Sequence, residues 1–371
     1  MSKLRIAILS YRSAPFGGGQ GVYIRDISYA LSIMGHNIDV ISGPPYPNLA
    51  KQVKLIKLPG LDLFQTFLFK ERLKIFFSKK NKKLIDYYEF LSTLLGGFPE
   101  MRTFGSRAKN YLKNNDYDII IDNQSLSYGV LDLQKENPLI EIIHHPITKD
   151  YEHELKANNK FLYRLSRHRW YSFLKMQKKV APKLQTIVTP SINSLKDIAA
   201  DFHCDPKNIT VINNGLDIDI FIPYKNIERR KFRLITTASA DVPLKGLDYS
   251  LMALSALKDK YPDIELIVIG KIKKDGHTSK LIKRLGIKDS IKFKTDLSKE
   301  EIAKEYAKSS ISIVSSLYEG FGYPVIEAMS CAVPLVAANT SSIPELVGDY
   351  ATLIPAKSSK ELAESIKDIF S

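Results

Sequence analysis

The chain has 371 residues, of which 44% are hydrophobic and 25% charged, and this ordinary globular composition excludes a disordered or collagen-like protein. Its length favours two domains, because a single core seldom extends over so many residues. The formal net charge is +14, and residues 1–220 contain 31 Lys and Arg against 21 Asp and Glu, so an anionic partner is expected mainly for the first half.

The sequence also indicates a reducing compartment. Only two cysteines occur, Cys204 and Cys331, and they do not form a disulfide framework. The apolar run at the N-terminus is too short for a signal peptide. No window of about 18 uninterrupted apolar residues predicts a membrane span. We therefore expect a cytoplasmic protein.

Apolar runs that predict strands alternate with amphipathic stretches of helical period along the chain. The predicted strands of the first half are 5–11, 37–42, 53–58, 118–122, 139–145 and 186–191. Those of the second half are 232–239, 264–270, 290–296, 311–316, 335–339 and 351–356. Several are apolar at consecutive positions, which is typical of parallel sheets covered on both faces. The pattern predicts an α/β fold with two doubly wound, Rossmann-like domains.

The segment 213–230 predicts the domain boundary, because it combines turn residues, a proline and a charge cluster. We place residues 1–215 in the first domain and 216–371 in the second. Ligands of doubly wound sheets bind at the carboxyl ends of the strands. We therefore expect the domains to face each other across a cleft that holds the binding site.

The segment SSLYEGFGYPVIEAMSCAVPLVAA, residues 315–338, places two carboxylates in an otherwise apolar run. Glu319 follows a predicted strand, and Pro324 suits the first turn of a helix. Glu327 is then expected in or next to that first turn, near the positive end of the helix dipole. Carboxylates and the backbone N–H groups of the loop can bind sugar hydroxyls; a helix-capping glutamate and a surface glutamate are the alternative.

The run E-G-F-G-Y-P-V-I-E resembles the E-x7-E signature of glycosyltransferase family 4, whose members are retaining enzymes. The resemblance extends to GGGQG after the first strand, VINNGLD near the domain junction, PLKG at 243–246 and SSIPELVGD at 341–349. It implies the GT-B fold, with two facing Rossmann-like domains and an interdomain cleft. The first domain would receive the acceptor and the second would bind the nucleotide sugar.

The resemblance also implies roles for individual residues around a nucleoside-diphosphate sugar. Glu319 would hold hydroxyls of the donor sugar, Glu327 the ribose hydroxyls, and Lys245 would neutralise the diphosphate. The implied catalytic residues are Glu319, Lys245 and His144, and the implied donor contacts are Gly18, Gly19, His145, Phe321, Gly322, Tyr323 and Glu327.

Several of these residues have simpler interpretations. GGGQG alone could be a flexible turn, and it is not a dinucleotide fingerprint, since Val22 and Ile24 stand where the third glycine belongs. His144 could be an ordinary structural histidine at a strand end. Residues 122–124, Asp-Asn-Gln, are interpreted as strand-end caps rather than substrate contacts. No Cys/His spacing indicates zinc.

Two departures from the family pattern stand out. Ala240 occupies the position at which the family commonly has an arginine five residues before the lysine. Half of the expected diphosphate clamp is therefore missing unless another cation replaces it. The chain also ends where family members usually continue into a further helical segment.

Two segments are basic and aromatic. Residues 155–183 contain nine Lys and Arg and no acid, and residues 67–83 contain seven against one Glu. Such segments fit an anionic membrane surface. A solvated helix face and nucleic acid are the alternatives, although no nucleic-acid motif accompanies the charge.

These observations predict a retaining hexosyltransferase that uses a nucleoside-diphosphate sugar and needs neither metal nor cofactor. The acceptor would be a cell-surface glycan or glycolipid, and the enzyme would be cytoplasmic and peripheral at the cytoplasmic face of the membrane. A GT-B sugar-nucleotide epimerase and a non-catalytic family member that binds nucleotide or a partner are the alternatives.

Overall fold

The computed structural model describes residues 2–14, 19–63, 66 and 68–371. The chain divides into two compact units. Unit 1 comprises Met1–Thr189 and Leu195–Ile212, and unit 2 comprises Pro190–Ser194 and Asn213–Ser371. Nothing in the sequence indicated that the short segment 190–194 belongs to unit 2.

Unit 1 is built on a parallel sheet of seven strands. The strands are β1 (Arg5–Ser10), β2 (Asn37–Ser42), β3 (Lys54–Lys57), β4 (Ile119–Asn123), β5 (Leu139–Ile142), β6 (Ile187–Thr189) and β7 (Ile209–Val211). The helices are α1 (Gly19–Ile33), α2 (Phe69–Ser78), α3 (Leu84–Leu94), α4 (Glu100–Leu112), α5 (Tyr128–Gln134), α6 (Thr148–Ala157), α7 (Phe161–Trp170), α8 (Leu174–Val180) and α9 (Ile192–Phe202). The strand order is β3-β2-β1-β4-β5-β6-β7.

Unit 2 is built on a second parallel sheet, of six strands. The strands are β8 (Arg230–Thr237), β9 (Glu265–Ile269), β10 (Ile291–Lys294), β11 (Ser309–Val314), β12 (Leu335–Ala338) and β13 (Thr352–Ile354). The helices are α10 (Leu247–Leu257), α11 (His277–Leu285), α12 (Lys299–Ala307), α13 (Tyr323–Ser330), α14 (Ile343–Val347) and α15 (Ser359–Phe370). The order is β10-β9-β8-β11-β12-β13, the doubly wound arrangement.

Both sheets are covered on their two faces, which confirms the interpretation of the continuous apolar runs. Ala7 and Leu9 of β1 belong to one core cluster, whereas Ile6 and Ile8 belong to another on the opposite face. The predicted strands correspond to β1–β6 and β8–β13. Strand β7 was not predicted, because its Ile-Thr-Val run is short and merges with the turn residues that follow it.

The basic segment 155–183 folds into several short helical elements. It contains the end of α6, all of α7 and α8, and two short 3-10 turns. Tyr171, Phe173 and Leu174 are buried in the main core of unit 1, and Trp170 packs against the same cluster. These four side chains therefore support the fold, whereas Phe161 and Leu162 of α7 are 76% and 77% exposed.

A buried charge network connects the central strand of unit 2 to α12. Arg233 and Glu305 are both almost fully buried and form an ion pair. Lys294 and Lys308 also contact the Glu305 carboxylate, at 2.8 and 3.1 Å. Burial by itself raises the pKa of Glu305, but these cations lower it overall, so the carboxylate stays charged.

We expect Glu305→Gln to lower the free energy of unfolding by roughly 3 kcal/mol, since it removes the nearest anion of the buried Arg233 guanidinium and leaves only Glu265, at 3.5 Å from Nε. Chemical denaturation of the purified protein measures the change. Glu364→Gln, which removes the anion of a solvent-exposed ion pair with Lys367, is the matched control and should leave the midpoint unchanged. Equal stability of the two variants would contradict the importance of the buried network.

Candidate active site

The topology of unit 2 brings two distant loops together at one edge of its sheet. The strand order reverses between β8 and β11, so the loops that follow these strands leave the sheet on either side of a crevice. The loop after β8 contains Lys245, and the loop after β11 contains Glu319. The backbone N–H of Leu317 donates to the Leu244 carbonyl oxygen at 2.7 Å, which fixes the two loops to each other.

Gly246 makes this close approach possible. Its φ of +59° lies in the left-handed region, and a Cβ atom there would overlap the carbonyl oxygen of Ser315. The hydroxyl of Ser315 donates to the Gly246 carbonyl oxygen at 2.9 Å. Any other residue at position 246 would push the loop that contains Lys245 away from the end of β11.

Lys245 and Glu319 form a direct ion pair. The Lys245 Nζ atom lies 2.7 Å from Glu319 Oε1, and the Ser316 hydroxyl donates to the same oxygen at 2.7 Å. Glu319 is only 8% exposed. Two donors thus hold one carboxylate oxygen, while Oε2 accepts no hydrogen bond from the residues that the structure describes.

Serine hydroxyls hold the backbone of the Glu319 loop. The Glu319 N–H donates to Ser341 Oγ at 2.8 Å, and the Ser342 hydroxyl lies 2.9 and 2.6 Å from the carbonyl oxygens of Glu319 and Phe321. Sequence reasoning quoted SSIPELVGD for its resemblance but assigned no role to these serines. Their position beside the Glu319 loop could not be inferred from the sequence, because they are more than 20 residues away from the groups that they bind.

The short segment 190–194 provides two more anchors for the same loop. The hydroxyls of Ser191 and Ser194 donate to the Gly320 carbonyl oxygen at 2.6 and 2.9 Å. The backbone N–H groups of Phe321 and Gly322, by contrast, donate to no acceptor in the described part of the chain. These two N–H groups can therefore serve a bound oxygen-rich ligand.

Glu327 lies on α13, which begins after Gly322 in a left-handed conformation with φ +111°. Pro324 is in the first turn, as the sequence predicts, and Glu327 is the fifth residue of the helix. Glu327 therefore lies directly next to the first turn, which confirms the expected position.

The Glu327 side chain is half-buried, and its carboxylate accepts a hydrogen bond from a buried tyrosine. The Tyr306 hydroxyl donates to Glu327 Oε2 at 3.1 Å, and Thr237 Oγ1 lies 3.0 Å from the same hydroxyl. Burial raises the pKa of Glu327 to about 7, against the opposing effects of the Tyr306 hydrogen bond and the Lys299 charge. The carboxyl group is thus close to half-ionised at neutral pH.

Ala240, at the position of the expected arginine, is buried in the core of unit 2 and has no charge to offer. The neighbouring Asp241 carboxylate accepts hydrogen bonds from the backbone N–H groups of Thr278 and Lys273, at 2.9 and 3.4 Å. This ties the β8 loop to the lysine-rich loop 270–276 that follows β9. Lys245 is therefore the cation that contacts Glu319 in this edge of unit 2.

The carboxyl edge of the sheet in unit 1 contains the predicted histidines. Strand β5 ends at Ile142, so the predicted strand 139–145 is too long and both histidines lie in the following loop. The Gln124 side chain takes over their backbone hydrogen bonds: it accepts from His144 N–H at 3.0 Å and donates to the His145 carbonyl at 2.8 Å. The amide side chain therefore replaces the strand ladder.

His144 is held as a neutral imidazole. Its Nε2 atom lies 2.8 Å from Asn123 Oδ1, and the Tyr23 ring packs edge-on at 4.7 Å. Burial, with a smaller effect of His145, lowers the pKa of His144 to about 3. His145 is oriented differently, since its Nε2 atom lies 2.7 Å from Asp150 Oδ2. The two histidines can thus offer hydrogen bonds of different kinds but do not form a cationic pair.

Below the histidine loop lie two fully buried carboxyl groups. Asp122 on β4 and Glu141 on β5 are directly opposite each other in the parallel ladder. Asp122 Oδ2 accepts from the N–H and the hydroxyl of Ser125, so Asp122 caps its strand as the sequence indicates. Burial and the neighbouring Asp122 raise the pKa of Glu141 well above its usual value, and burial also raises the pKa of Asp122.

The glycine-rich turn is only partly described. Gly18 lies outside the described residues. Gly19 is the first residue of α1, and a Cβ atom there would meet nothing within 4 Å. Gly21 is the glycine that the packing requires, because a Cβ atom at this position would overlap the Ala14 carbonyl oxygen. Sequence reasoning named Gly18 and Gly19 but gave no role to Gly21.

Comparison with known proteins agrees with the architecture of both units. The family model for "Glycosyltransferase Family 4" matches residues 17–220, and that for "Glycosyl transferases group 1" matches residues 221–371. A curated relative, "MMP alpha-(1->4)-mannosyltransferase" from Mycolicibacterium hassiacum, is 41% identical over 93% of this chain and 83% of its own length.

Two solved structures illustrate the shared fold. Sucrose-phosphate synthase from Thermosynechococcus elongatus aligns with a TM-score of 0.75 and 19% identity, over 99% of this chain and 90% of the other. Anabaena Alr3699/HepE in complex with UDP-glucose aligns with a TM-score of 0.67 and 17% identity, over 98% and 89%. From the family models and the curated relative, the chain belongs to glycosyltransferase family 4, a family of enzymes, and it has the GT-B fold.

Proposed function

We propose that this protein is a retaining hexosyltransferase that moves mannose from a nucleoside-diphosphate sugar to a hydroxyl of a glycan or glycolipid. The observation that carries the proposal is the contact of Lys245 Nζ with Glu319 Oε1 at 2.7 Å, at the switch point of the unit 2 sheet. Mannose as the sugar rests on the relative named as an alpha-(1->4)-mannosyltransferase.

In the proposed reaction, the bond between the anomeric carbon and the diphosphate breaks, and its electron pair leaves with the phosphate oxygen. Lys245 stabilises the negative charge that develops there. The acceptor hydroxyl attacks the anomeric carbon on the same face and forms the new glycosidic bond. Its proton passes to the departing phosphate oxygen, so no protein nucleophile is needed and the configuration is retained.

Glu319 orients the donor sugar rather than taking a proton. Its Oε1 atom is already held by Lys245 and Ser316, which leaves Oε2 to accept from a sugar hydroxyl. The N–H groups of Phe321 and Gly322 donate to other oxygens of the donor, and Tyr323 follows them in the first turn of α13. Glu327 accepts from the ribose hydroxyls.

Unit 1 would have a supporting role in donor binding and the main role in acceptor binding. His144 is neutral, so it would hydrogen-bond a sugar hydroxyl rather than a phosphate. His145 and the N–H groups of Gly18 and Gly19 complete the proposed donor contacts. The protein would act at the cytoplasmic face of the membrane, and nucleic acid is not among the proposed partners. Among the described helices, none is long and apolar enough to cross a bilayer.

A non-catalytic, nucleotide-binding protein is the second candidate, because the buried Ala240 removes a charge that the family commonly uses. Incubation with a labelled nucleotide sugar and a panel of acceptors distinguishes the candidates. Release of the nucleoside diphosphate with a glycosylated product supports transfer. Tight binding without turnover would favour the second candidate, and an epimer formed without nucleotide release would indicate an epimerase.

We expect Glu319→Gln and Lys245→Ala each to reduce turnover by roughly a thousandfold, since the first removes the carboxylate that orients the donor sugar and the second removes the charge that stabilises the leaving phosphate. Initial rates of nucleoside-diphosphate release measure the effect. Exposed residues of the same types, changed as Glu364→Gln and Lys360→Ala, are the matched controls and should keep the wild-type rate. Near-normal turnover of both site variants, with an intact thermal transition, would refute the assignment.

The affinity for the donor should fall as the pH drops below about 7, because protonated Glu327 accepts ribose hydrogen bonds poorly. Binding of the nucleotide sugar is measured at several pH values between about pH 8 and pH 6. Below the pKa of Glu327, the fall in affinity should approach tenfold per pH unit. The diphosphate of a nucleotide sugar does not titrate in this range. Glu327→Gln should bind more weakly and without this pH dependence; the same dependence in the variant would show that another group titrates.

The proposal includes transfer without a metal ion, because Lys245 provides the positive charge at the leaving diphosphate. Assays in excess EDTA should therefore proceed at the rate measured in untreated buffer. If EDTA abolishes turnover and added Mg²⁺ or Mn²⁺ restores it, a divalent cation stabilises the leaving diphosphate together with Lys245.

A further inference from the structure

Helix α3 of unit 1 exposes its apolar face and buries its charged face, the reverse of an ordinary surface helix. Its outward face is apolar, and the exposed fractions reach 90% for Leu84, 57% for Leu91 and 73% for Leu95 just after the helix. Tyr87 and Tyr88, also exposed, fall on the same face, because these positions are spaced three or four residues apart. A soluble helix normally turns such a stripe towards the core.

The inward face of α3 contains two buried carboxylates that fix this orientation. Arg107 Nη2 lies 2.9 Å from Asp86 Oδ1 and 2.5 Å from Glu89 Oε2, and Lys79 Nζ lies 2.7 Å from Asp86 Oδ1. Glu89 Oε1 also accepts from the backbone N–H of Leu61 at 2.8 Å. Rotation of the helix to bury its leucines would break all of these bonds, so the fold specifies the exposure of the apolar stripe.

Helix α2 continues the apolar surface. Phe76 stacks on Phe90 of α3 with ring centroids 4.2 Å apart, and it meets the Tyr87 ring at 5.2 Å. Next to it, Phe77 is 70% exposed. The α2–α3 surface, defined here as Phe77, Leu84, Tyr87, Leu91 and Leu95 together with Lys80 and Lys83, is therefore contiguous at this helix pair.

The charge on this surface is positive. Lysines occupy positions 79, 80, 82 and 83 of the segment that connects the two helices, and Lys80 and Lys83 are exposed. The acids that follow, Asp86 and Glu89, point inward and are neutralised by Arg107 and Lys79. The outward surface thus combines apolar side chains with unopposed lysines, which is the chemistry of a surface that binds anionic phospholipid.

We propose that the α2–α3 surface docks onto an anionic phospholipid bilayer, with Leu84 and Leu91 inserted among the lipid headgroups and Lys80 and Lys83 at the lipid phosphates. A second copy of the chain fits less well, because a two-fold pairing places this surface against itself and the surface as defined contains no acidic side chain to pair with Lys80 and Lys83. The proposal rests on the membrane location given under the proposed function and adds the surface that would provide it; none of these residues belongs to the transfer site.

Co-sedimentation of the full chain with vesicles tests the proposal. Vesicles of phosphatidylcholine with phosphatidylglycerol should bind the protein at about 0.15 M salt, and pure phosphatidylcholine vesicles should bind it far less. Leu84→Ser/Leu91→Ser should weaken binding by roughly tenfold or more through lost apolar burial. Lys80→Gln/Lys83→Gln should weaken it by roughly 30-fold, and this loss should shrink at high salt.

Matched pairs from elsewhere on the surface serve as controls. Ile33→Ser/Tyr350→Ser changes two apolar side chains that are 65% and 86% exposed, and Lys283→Gln/Lys288→Gln changes two exposed lysines of unit 2. Both pairs should bind vesicles as the wild type does, and every variant should release nucleoside diphosphate at the wild-type rate with a soluble acceptor. A loss of transfer activity with retained vesicle binding would contradict the proposed function and leave the docking proposal intact.

Three results would overturn the docking proposal. The first is no binding of the wild type to anionic vesicles, and the second is equal binding by the wild type and both α2–α3 variants. The third is a wild type that light scattering shows to be a dimer and that Leu84→Ser/Leu91→Ser converts to a monomer. That last result would mean that a second copy covers the stripe.

Discussion

The parallel sheet of unit 2, with its reversal of strand order between β8 and β11, is the constraint on which the candidate site depends. Parallel strands send all their following loops to one edge, and the reversal leaves a crevice between two of them. Lys245 and Glu319 are 74 residues apart in sequence and meet at 2.7 Å only because their strands are neighbours in the sheet. The glycine at position 246 then allows the loops to touch.

Within this frame, burial sets the charge of each polar group. Burial keeps His144 neutral and holds Glu327 near half-ionisation, whereas Glu319 is paired with Lys245 and Ser316. These three side chains therefore have three different electrostatic roles because of their surroundings. The serines that bind the Glu319 loop add rigidity, and a rigid loop can hold its carboxylate in place without a ligand.

Buried charges also orient structural elements far from the site. The Arg233–Glu305 pair joins a central strand to α12, and Arg107 with Lys79 holds the carboxylates of α3 inside unit 1. In α3 the consequence extends to the surface, since the ion pairs direct the leucines outward. A helix whose polar side is buried is held by ion pairs rather than by burial of its apolar side. The apolar stripe of α3 is therefore exposed and available to a partner.

The sequence by itself determined the α/β class, nearly all the strands and the candidate residues Lys245, Glu319 and Glu327. These properties are local, because continuous apolar runs and short motifs are written in neighbouring residues. Only the tertiary structure decided which residues those motifs meet. The Gln124 side chain hydrogen-bonds the backbone after β5, and Asp150 hydrogen-bonds His145. Ser341 and Ser342 hydrogen-bond the backbone of the Glu319 loop.

The orientation of α3 is the clearest case of this division. Its sequence shows an amphipathic helix, and the apolar face would ordinarily be assigned to the core. The actual orientation depends on Arg107, whose guanidinium reaches Asp86 and Glu89 from another helix. A hydrophobic pattern shows that a helix has an apolar face and a polar face. Which face is buried depends on the partners of its polar groups, and these partners lie far away in sequence.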